Sequence, residues 1–299
     1  METNKGIVKP LRNLHLGFLA SAAFLVLTGA SLQATVLLND DFSDGSRTDQ
    51  NLTSSSAWYS SGNASTLTVV SNALVSASGT TARQAVTYFT NSGVQTLGVG
   101  DSLSVSFSLA ETTFSSTSIF RMGLFNSGGT RVSADNTSNS NAAFTNYTGY
   151  SLFTSPTSNQ PTGSTLRYRS VADPSLFGTT QNVALTGNSP TLNLTDSAPY
   201  NFTFTITNTS ASTITINALV KDSTNTTTLM NFTATDSVNH FTGFDTFAFY
   251  GANGASTSAT ITLDNVLVTY TAAVPEPATC GLALFGVGFA LWRVRRARA

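Results

Sequence analysis

The chain has 299 residues, 14 Lys and Arg against 15 Asp and Glu, a formal net charge of −1, and one cysteine, Cys280. Without its two terminal segments it leaves a body of about 240 residues with seven cations and thirteen anions. That balance excludes nucleic acid as a partner, because phosphate binding needs clustered Lys and Arg.

At the N-terminus, Lys5, Lys9 and Arg12 precede an apolar run at 16–27 and then the small residues of 28–34. A basic start, an apolar centre and a small-residue exit predict a secretory signal peptide over residues 1–34. Cleavage is expected after Ala34, with Ala30 as the alternative because Leu32 is an unusual residue three positions before a cut. No Cys follows the run, which argues against a lipoprotein anchor.

Ser, Thr, Asn and Gly dominate the body, a composition that would suggest disorder. The chain's 20 phenylalanines, most of them in the body, supply the apolar area for order instead. The body contains no cysteine, so stability must come from burial and backbone pairing rather than disulfides. Leu103, Val105, Phe107 and Leu109 alternate with Ser102, Ser104, Ser106 and Ser108, the pattern of a strand with one buried and one solvated face. The same period appears in Phe202, Phe204 and Ile206 and in Ile214, Ile216, Ala218 and Val220, with 207–213 as the turn of a hairpin. Further strands are expected at 67–75, 83–89, 118–125, 149–153, 165–171, 246–250 and 259–270. In the last of these, Ile261 and Leu263 fall on odd positions but Val266, Val268 and Tyr270 on even ones. A one-residue bulge near Asp264-Asn265 would keep all five on one face; the alternative is a strand buried on both sides. Residues 127–146 read as a Ser/Asn-rich loop over one sheet edge. With no helix of globular length and no fixed repeat, residues 35–273 are expected to form an all-β antiparallel sandwich.

The C-terminal segment, 274–299, has three parts: Val274-Pro275-Glu276-Pro277, an uncharged stretch at 278–292, and a tail with Arg293, Arg295, Arg296 and Arg298. As a helix the stretch would span about 22 Å, short of a hydrocarbon core of about 30 Å, so it is a marginal membrane anchor. The arginines can snorkel to headgroups, and the positive-inside rule then places the body outside. Cys280 reads as a small apolar filler of this helix. Gly281 and Gly286 lack GxxxG spacing, so no dimer is expected from them.

This arrangement resembles a PEP-CTERM sorting signal. The resemblance implies export through the secretion machinery of a Gram-negative-type envelope. It also implies a partner exosortase, a membrane-embedded cysteine transpeptidase, and cleavage near the Pro-Glu-Pro motif. The mature protein would reside at the cell surface or in extracellular polysaccharide. A second resemblance rests on Leu37–Gly45, Phe244–Gly251 and Ile261–Val268, which are similar to the first and last strands of concanavalin A-like or carbohydrate-module jelly rolls. It implies a structural calcium where those strands meet, with Asp40, Asp41 or Asp44 and Asp264 as hard oxygen ligands. The other reading of these acids is turn capping by accepting backbone N–H groups.

Glycoside hydrolysis needs two carboxylates flanking the bond. Glu111 is the only glutamate of the body, and the Glu-x-Asp-x-x-Glu motif of concanavalin-like hydrolases is absent. His240, the only body histidine, has no nucleophile at a diagnostic spacing. A non-catalytic structural or adhesive surface protein is therefore expected, with a polysaccharide-binding module as the alternative and a carbohydrate-active enzyme as the second. For binding, Arg167 and Arg169 flank Tyr168 and should share one sheet face, where they could meet acidic polysaccharide. Trp58, Tyr59 and Tyr150 could stack on sugar rings, although the lone body tryptophan also suits a core anchor and strand arginines also discourage edge pairing. The Asn-x-Ser/Thr triplets, such as those starting at Asn201 and Asn231, are attributed to composition.

Overall fold

The computed structural model describes residues 34–62, 67–77, 82–156, 163–170, 172–186, 190–253 and 259–274. The leader up to residue 33, Pro275, Glu276, Pro277, the apolar stretch 278–292 and the tail arginines lie outside the described residues. Ala34, expected as the last residue of the leader, is the first of a strand. Among the described residues no helix is long and apolar enough to cross a membrane.

In chain order the strands are β1 (Ala34–Asp40), β2 (Trp58–Ser61), β3 (Leu67–Val70), β4 (Ala73–Ala77), β5 (Arg83–Tyr88), β6 (Gln95–Thr96), β7 (Ser102–Glu111), β8 (Ser118–Asn126), β9 (Thr148–Thr154), β10 (Thr165–Arg169), β11 (Asn182–Ala184), β12 (Tyr200–Ser210), β13 (Thr213–Asp222), β14 (Thr228–Asp236), β15 (Gly243–Phe244), β16 (Thr246–Asn253) and β17 (Thr260–Thr271). One sheet runs β14-β13-β12-β7-β17-β4-β3, with β1 also paired to β17. The other runs β11-β10-β9-β8-β16-β5-β2, while β6 and β15 pair with each other. Every paired strand is antiparallel. The expected all-β antiparallel sandwich is the fold of the described body.

The alternation in β7, β12 and β13 sends one side chain in two into the space between the sheets. There Phe107 stacks on Phe202 with ring centroids 5.5 Å apart, and Phe120 and Phe247 close around Phe107. Burying each such ring contributes about 1.5–3 kcal/mol. The irregularity in the last strand is a bulge: the register of β17 on β7 shifts between Asp264 and Leu267. Asn265 takes φ 53° and faces solvent, so Ile261, Leu263, Val266 and Val268 all stay buried.

Other expectations are corrected. Residues 67–75 are two strands, not one, folded back at Ser71-Asn72 with φ 51° and 59°, the left-handed pair that a tight hairpin turn requires. The turn expected at 207–213 shrinks to Ala211-Ser212, because pairing of β12 with β13 continues through Ser210. The loop 127–146 does cover an edge: Asn136 exchanges backbone hydrogen bonds with Ser60 and Gly62 beside β2. It then goes further, across the outer face of the second sheet. Val132, Phe144 and Tyr147 pack there on Val86, Tyr88, Phe125, Phe153 and Phe177 as a second apolar cluster. Strands β5 and β9 are consequently buried on both faces, which removes their polar alternation.

Candidate functional site

The second cluster decides the fate of the arginine pair. Arg167 and Arg169 do point to the same face of β10, but at Arg169 that face is covered and at Arg167 it is half-buried. Arg169 is fully buried; its guanidinium donates to the carbonyls of Tyr147 and Asp173, the latter at 2.5 Å. Burial lowers its pKa to about 10, against the pull of Asp173. Arg167 donates to Thr165 Oγ1 at 2.9 Å and Asn182 O at 2.7 Å and lies 4.6 Å over the Phe153 ring, which also carries Arg121 at 4.4 Å. Tyr168 packs inward against the main core. Arg169 is therefore committed to bracing loop carbonyls inside the protein, while the half-buried Arg167 ties β10 to β11.

Of the aromatic candidates, Trp58 and Tyr150 are interior and Tyr59 is half-buried. Trp58 is buried among Phe42, Phe247 and Phe249, and its Nε1–H donates to Asp40 at 2.9 Å. Tyr150 is buried and donates to Asp236 at 3.0 Å, while Tyr59 packs on Tyr88. His240 Nε2 lies 3.0 Å from both Asn208 Oδ1 and Ser210 O, a bracing role at the sandwich end. Glu111 is buried at the end of β7.

The four candidate calcium ligands sit where β1 meets β17, but each accepts a backbone N–H. Asp40 accepts from Phe42 at 3.1 Å and Ser56 at 3.2 Å in addition to Trp58. Asp41 accepts from Ser43, Asp44 from Ser46 and Asp264 from Asn265. Burial, opposed by the Asn265 N–H and reinforced by the Asp41 charge, lifts the Asp264 carboxyl above 3.8. Among the described residues no three His, Cys, Asp or Glu side chains gather as a metal site would need.

One place open to a ligand is the outer face of the first sheet. A trough of about 470 Å³ is lined by Asn39, Ser106, Ser108, Asn201, Thr203, Asn225, Asn265 and Leu267, with Phe107 and Phe202 turned inward beneath. Register builds its floor: Thr203 lies opposite Ser106, Ser106 opposite Leu267 and Leu267 opposite Asn39, one row across β12, β7, β17 and β1. Asn201, opposite Ser108 in the adjoining row, steadies one wall by donating to Asn225 Oδ1 at 3.1 Å. The bulge lifts Asn265 into the other wall. Among the described residues no charged side chain lines the trough, so it offers amides and hydroxyls, groups that pair with the hydroxyls of a neutral sugar. Sequence reading missed these positions, although the outward serines of β7 were legible.

A second assembly marks the end of the sandwich. The last ladder residue of β17 is Thr271, paired with both Ser102 and Ala34. Two residues on, Ala273 N–H donates to Asp101 Oδ1 at 2.7 Å, while Tyr270 O–H and Gly98 N–H both donate to Asp101 Oδ2 at 2.7 Å. Burial opposes the charge, yet the bonds from Ala273, Tyr270 and Gly98 together hold the Asp101 carboxyl below 3.8.

No curated protein matches the chain. Among solved structures it is similar to the Emp47p carbohydrate recognition domain (12% identity, 82% of this chain and 99% of that one, TM-score 0.49). It is also similar to the winged bean acidic lectin complexed with methyl-α-D-galactose (10% identity, 80% and 99%, TM-score 0.46). A third is the CBM2 module of the evolved Dit of Lactobacillus casei BL23 phage J-1 (8% identity, 80% and 97%, TM-score 0.46). Residues 273–297 match the family described as the PEP-CTERM protein-sorting motif, so this chain carries a PEP-CTERM sorting signal that starts where its sandwich ends.

Proposed function

We propose that this chain is an exported, non-catalytic β-sandwich protein that is anchored briefly in the membrane and released by an exosortase to the cell surface or extracellular matrix. There its role is structural or adhesive. The observation that carries this reading is the sorting motif at 273–297. The domain division it entails is a leader at 1–34, a jelly-roll body at 35–273 and a sorting segment at 274–299. Pairing of the first strand with the last in one sheet supports the jelly-roll assignment, and engagement of His240 in structural bonds supports the absence of catalysis. Mass spectrometry of the mature protein from a host with and without its exosortase tests the proposal. Loss of the leader in both hosts, with loss of the C-terminal segment only when the enzyme is present, supports it; an intact Met1–Ala299 chain in the cytosol overturns it.

A second reading is favoured by the trough, whose uncharged amides and hydroxyls suit a neutral polysaccharide better than the acidic one that the arginines suggested. The double change Ser106→Leu/Thr203→Leu fills the floor. Retention on a neutral glucan or galactan column should be lost in that variant, and retention equal to wild type removes the reading. Calcium draws no support from the four aspartates, whose oxygens accept backbone N–H groups instead.

A further inference from the structure

We infer that Asp101 is a positioning residue for processing: a latch that withholds the chain just before the sorting motif from the sorting enzyme until it opens. The inference rests on the reading that the C-terminal segment is a processed sorting signal. Three observations carry it. First, order does not stop with the β-ladder at Thr271 but is extended by a side chain to Ala273, the residue at which the sorting motif begins. Second, the acceptor is prebuilt. Asp101 N–H donates to Gly98 O at 3.0 Å and Gly98 N–H returns to Asp101 Oδ2, while Gly100 N–H donates to Asn208 O at 2.6 Å and Asn208 N–H to Asp101 O at 3.0 Å. The loop is thus tied to β12 on one side and grips β17 on the other. Third, Gly100, at φ 89°, lets Ala273 approach closely: a Cβ there would lie 2.7 Å from the Ala273 Cβ.

A processing enzyme must hold several residues around its cleavage point in extended form. With the latch closed, the folded body reaches to within one residue of Val274 and crowds that approach. Opening the latch frees Ala272 and Ala273, beyond the last ladder residue Thr271, which add about 7 Å of reach at about 3.3 Å per residue. When opening is fast relative to cleavage, the processing rate follows the open population. Removing the hydrogen bonds to a charged acceptor should raise that population at least about tenfold.

The test is a pulse-chase of the full-length chain in a host carrying its sorting machinery, comparing wild type, Asp101→Ala and Tyr270→Phe. A second set carries Gly-Ser-Gly-Ser inserted after Val274, which supplies slack without the latch opening. Expected are conversion about tenfold faster in Asp101→Ala and about threefold faster in Tyr270→Phe, which loses one of the bonds, with neither change having an effect in the inserted set. Unchanged conversion in both variants overturns the latch. So does equal acceleration with and without the insertion, because that would report general loosening of the body. A wild-type chain that is never converted removes the sorting reading itself, and the latch with it. Tyr270→Phe leaves the loop 98–101 intact and keeps the test decisive should Asp101→Ala fail to fold.

Discussion

Changing Asp245 to Ala tests whether the loop layer on the second sheet hangs on a single buried carboxylate. That carboxylate accepts from Ser127 N at 2.8 Å, Ser127 Oγ at 2.6 Å, Thr246 Oγ1 at 2.7 Å, and Arg131 Nε and Nη2 at 3.3 and 3.1 Å. Ser127 and Thr246 are fully buried. Their hydroxyls can rotate to other acceptors, but the Ser127 N–H cannot, and an unsatisfied buried donor costs about 1–3 kcal/mol. Arg131 is partly exposed and keeps Thr90 O, Asn91 O, Thr90 Oγ1 and Gly93 O. Its lost ion pair therefore adds only about 1 kcal/mol. The total, about 3 kcal/mol, lies at the lower end of the range for breaking a buried pair. At about 2–4 °C per kcal/mol for a domain of this size, the melting temperature should fall by about 6–12 °C. Circular dichroism melts measure the fall, and limited proteolysis should place the first cuts in 127–141. Asp245→Asn keeps an acceptor for Ser127 N and should recover about half of the loss. A fall below about 2 °C in Asp245→Ala, or first cuts elsewhere in the body, would refute the reasoning.

Gly123→Ala should cost about 1–3 kcal/mol by overpacking, since its Cβ would stand 2.6 Å from Tyr150 O on the neighbouring strand and 2.7 Å from Phe125 Cζ; an unmoved urea midpoint would contradict this. Trp58→Phe keeps the ring packing but removes the donor to Asp40, a loss of about 1.5–3 kcal/mol, read as a shift of the same midpoint. For Asp101 the folded pKa lies below the ordinary 3.8, so its stabilisation is present above about pH 4 and fades as the pH falls through the folded value. The stability gap between wild type and Asp101→Asn should accordingly hold from about pH 6 to about pH 4 and narrow below that, and a gap that stays constant on further acidification would count against the carboxylate bonds.

Strands with one wet face were legible in the sequence, because Ser and Thr interleave regularly with large apolar residues in β7, β12 and β13. The bulge in β17 was legible for the same reason: wherever one face must stay dry, a phase slip demands an extra residue in the strand. Strands covered on both sides were harder to bound. β5 and β9 are buried on both faces, and what covers β5 comes from a loop more distant in sequence, 127–146. That same layer hid the fate of Arg169, whose alternation with Tyr168 located its face correctly but said nothing of the Tyr147 and Asp173 carbonyls that take up its guanidinium. In β14, Met230, Phe232 and Ala234 alternate cleanly and were overlooked in favour of the Asn231 triplet. Strands of two to four residues such as β2, β6 and β15 are too brief for any period to register. The trough depends on cross-strand register, which no single segment encodes.

The pairing of β1 with β17, in which Ala34 lies opposite Thr271, sets a schedule. A polypeptide delivered N-terminus first presents β1 at once, yet the neighbour that completes it arrives last, so this seam cannot close while the chain is still being threaded. Such distant pairing is slow, since loop-closure entropy must be overcome before the contact repays it. Until the final strand emerges, β1 must wait as an unpaired ribbon, and the seam closes only as the sorting motif itself follows.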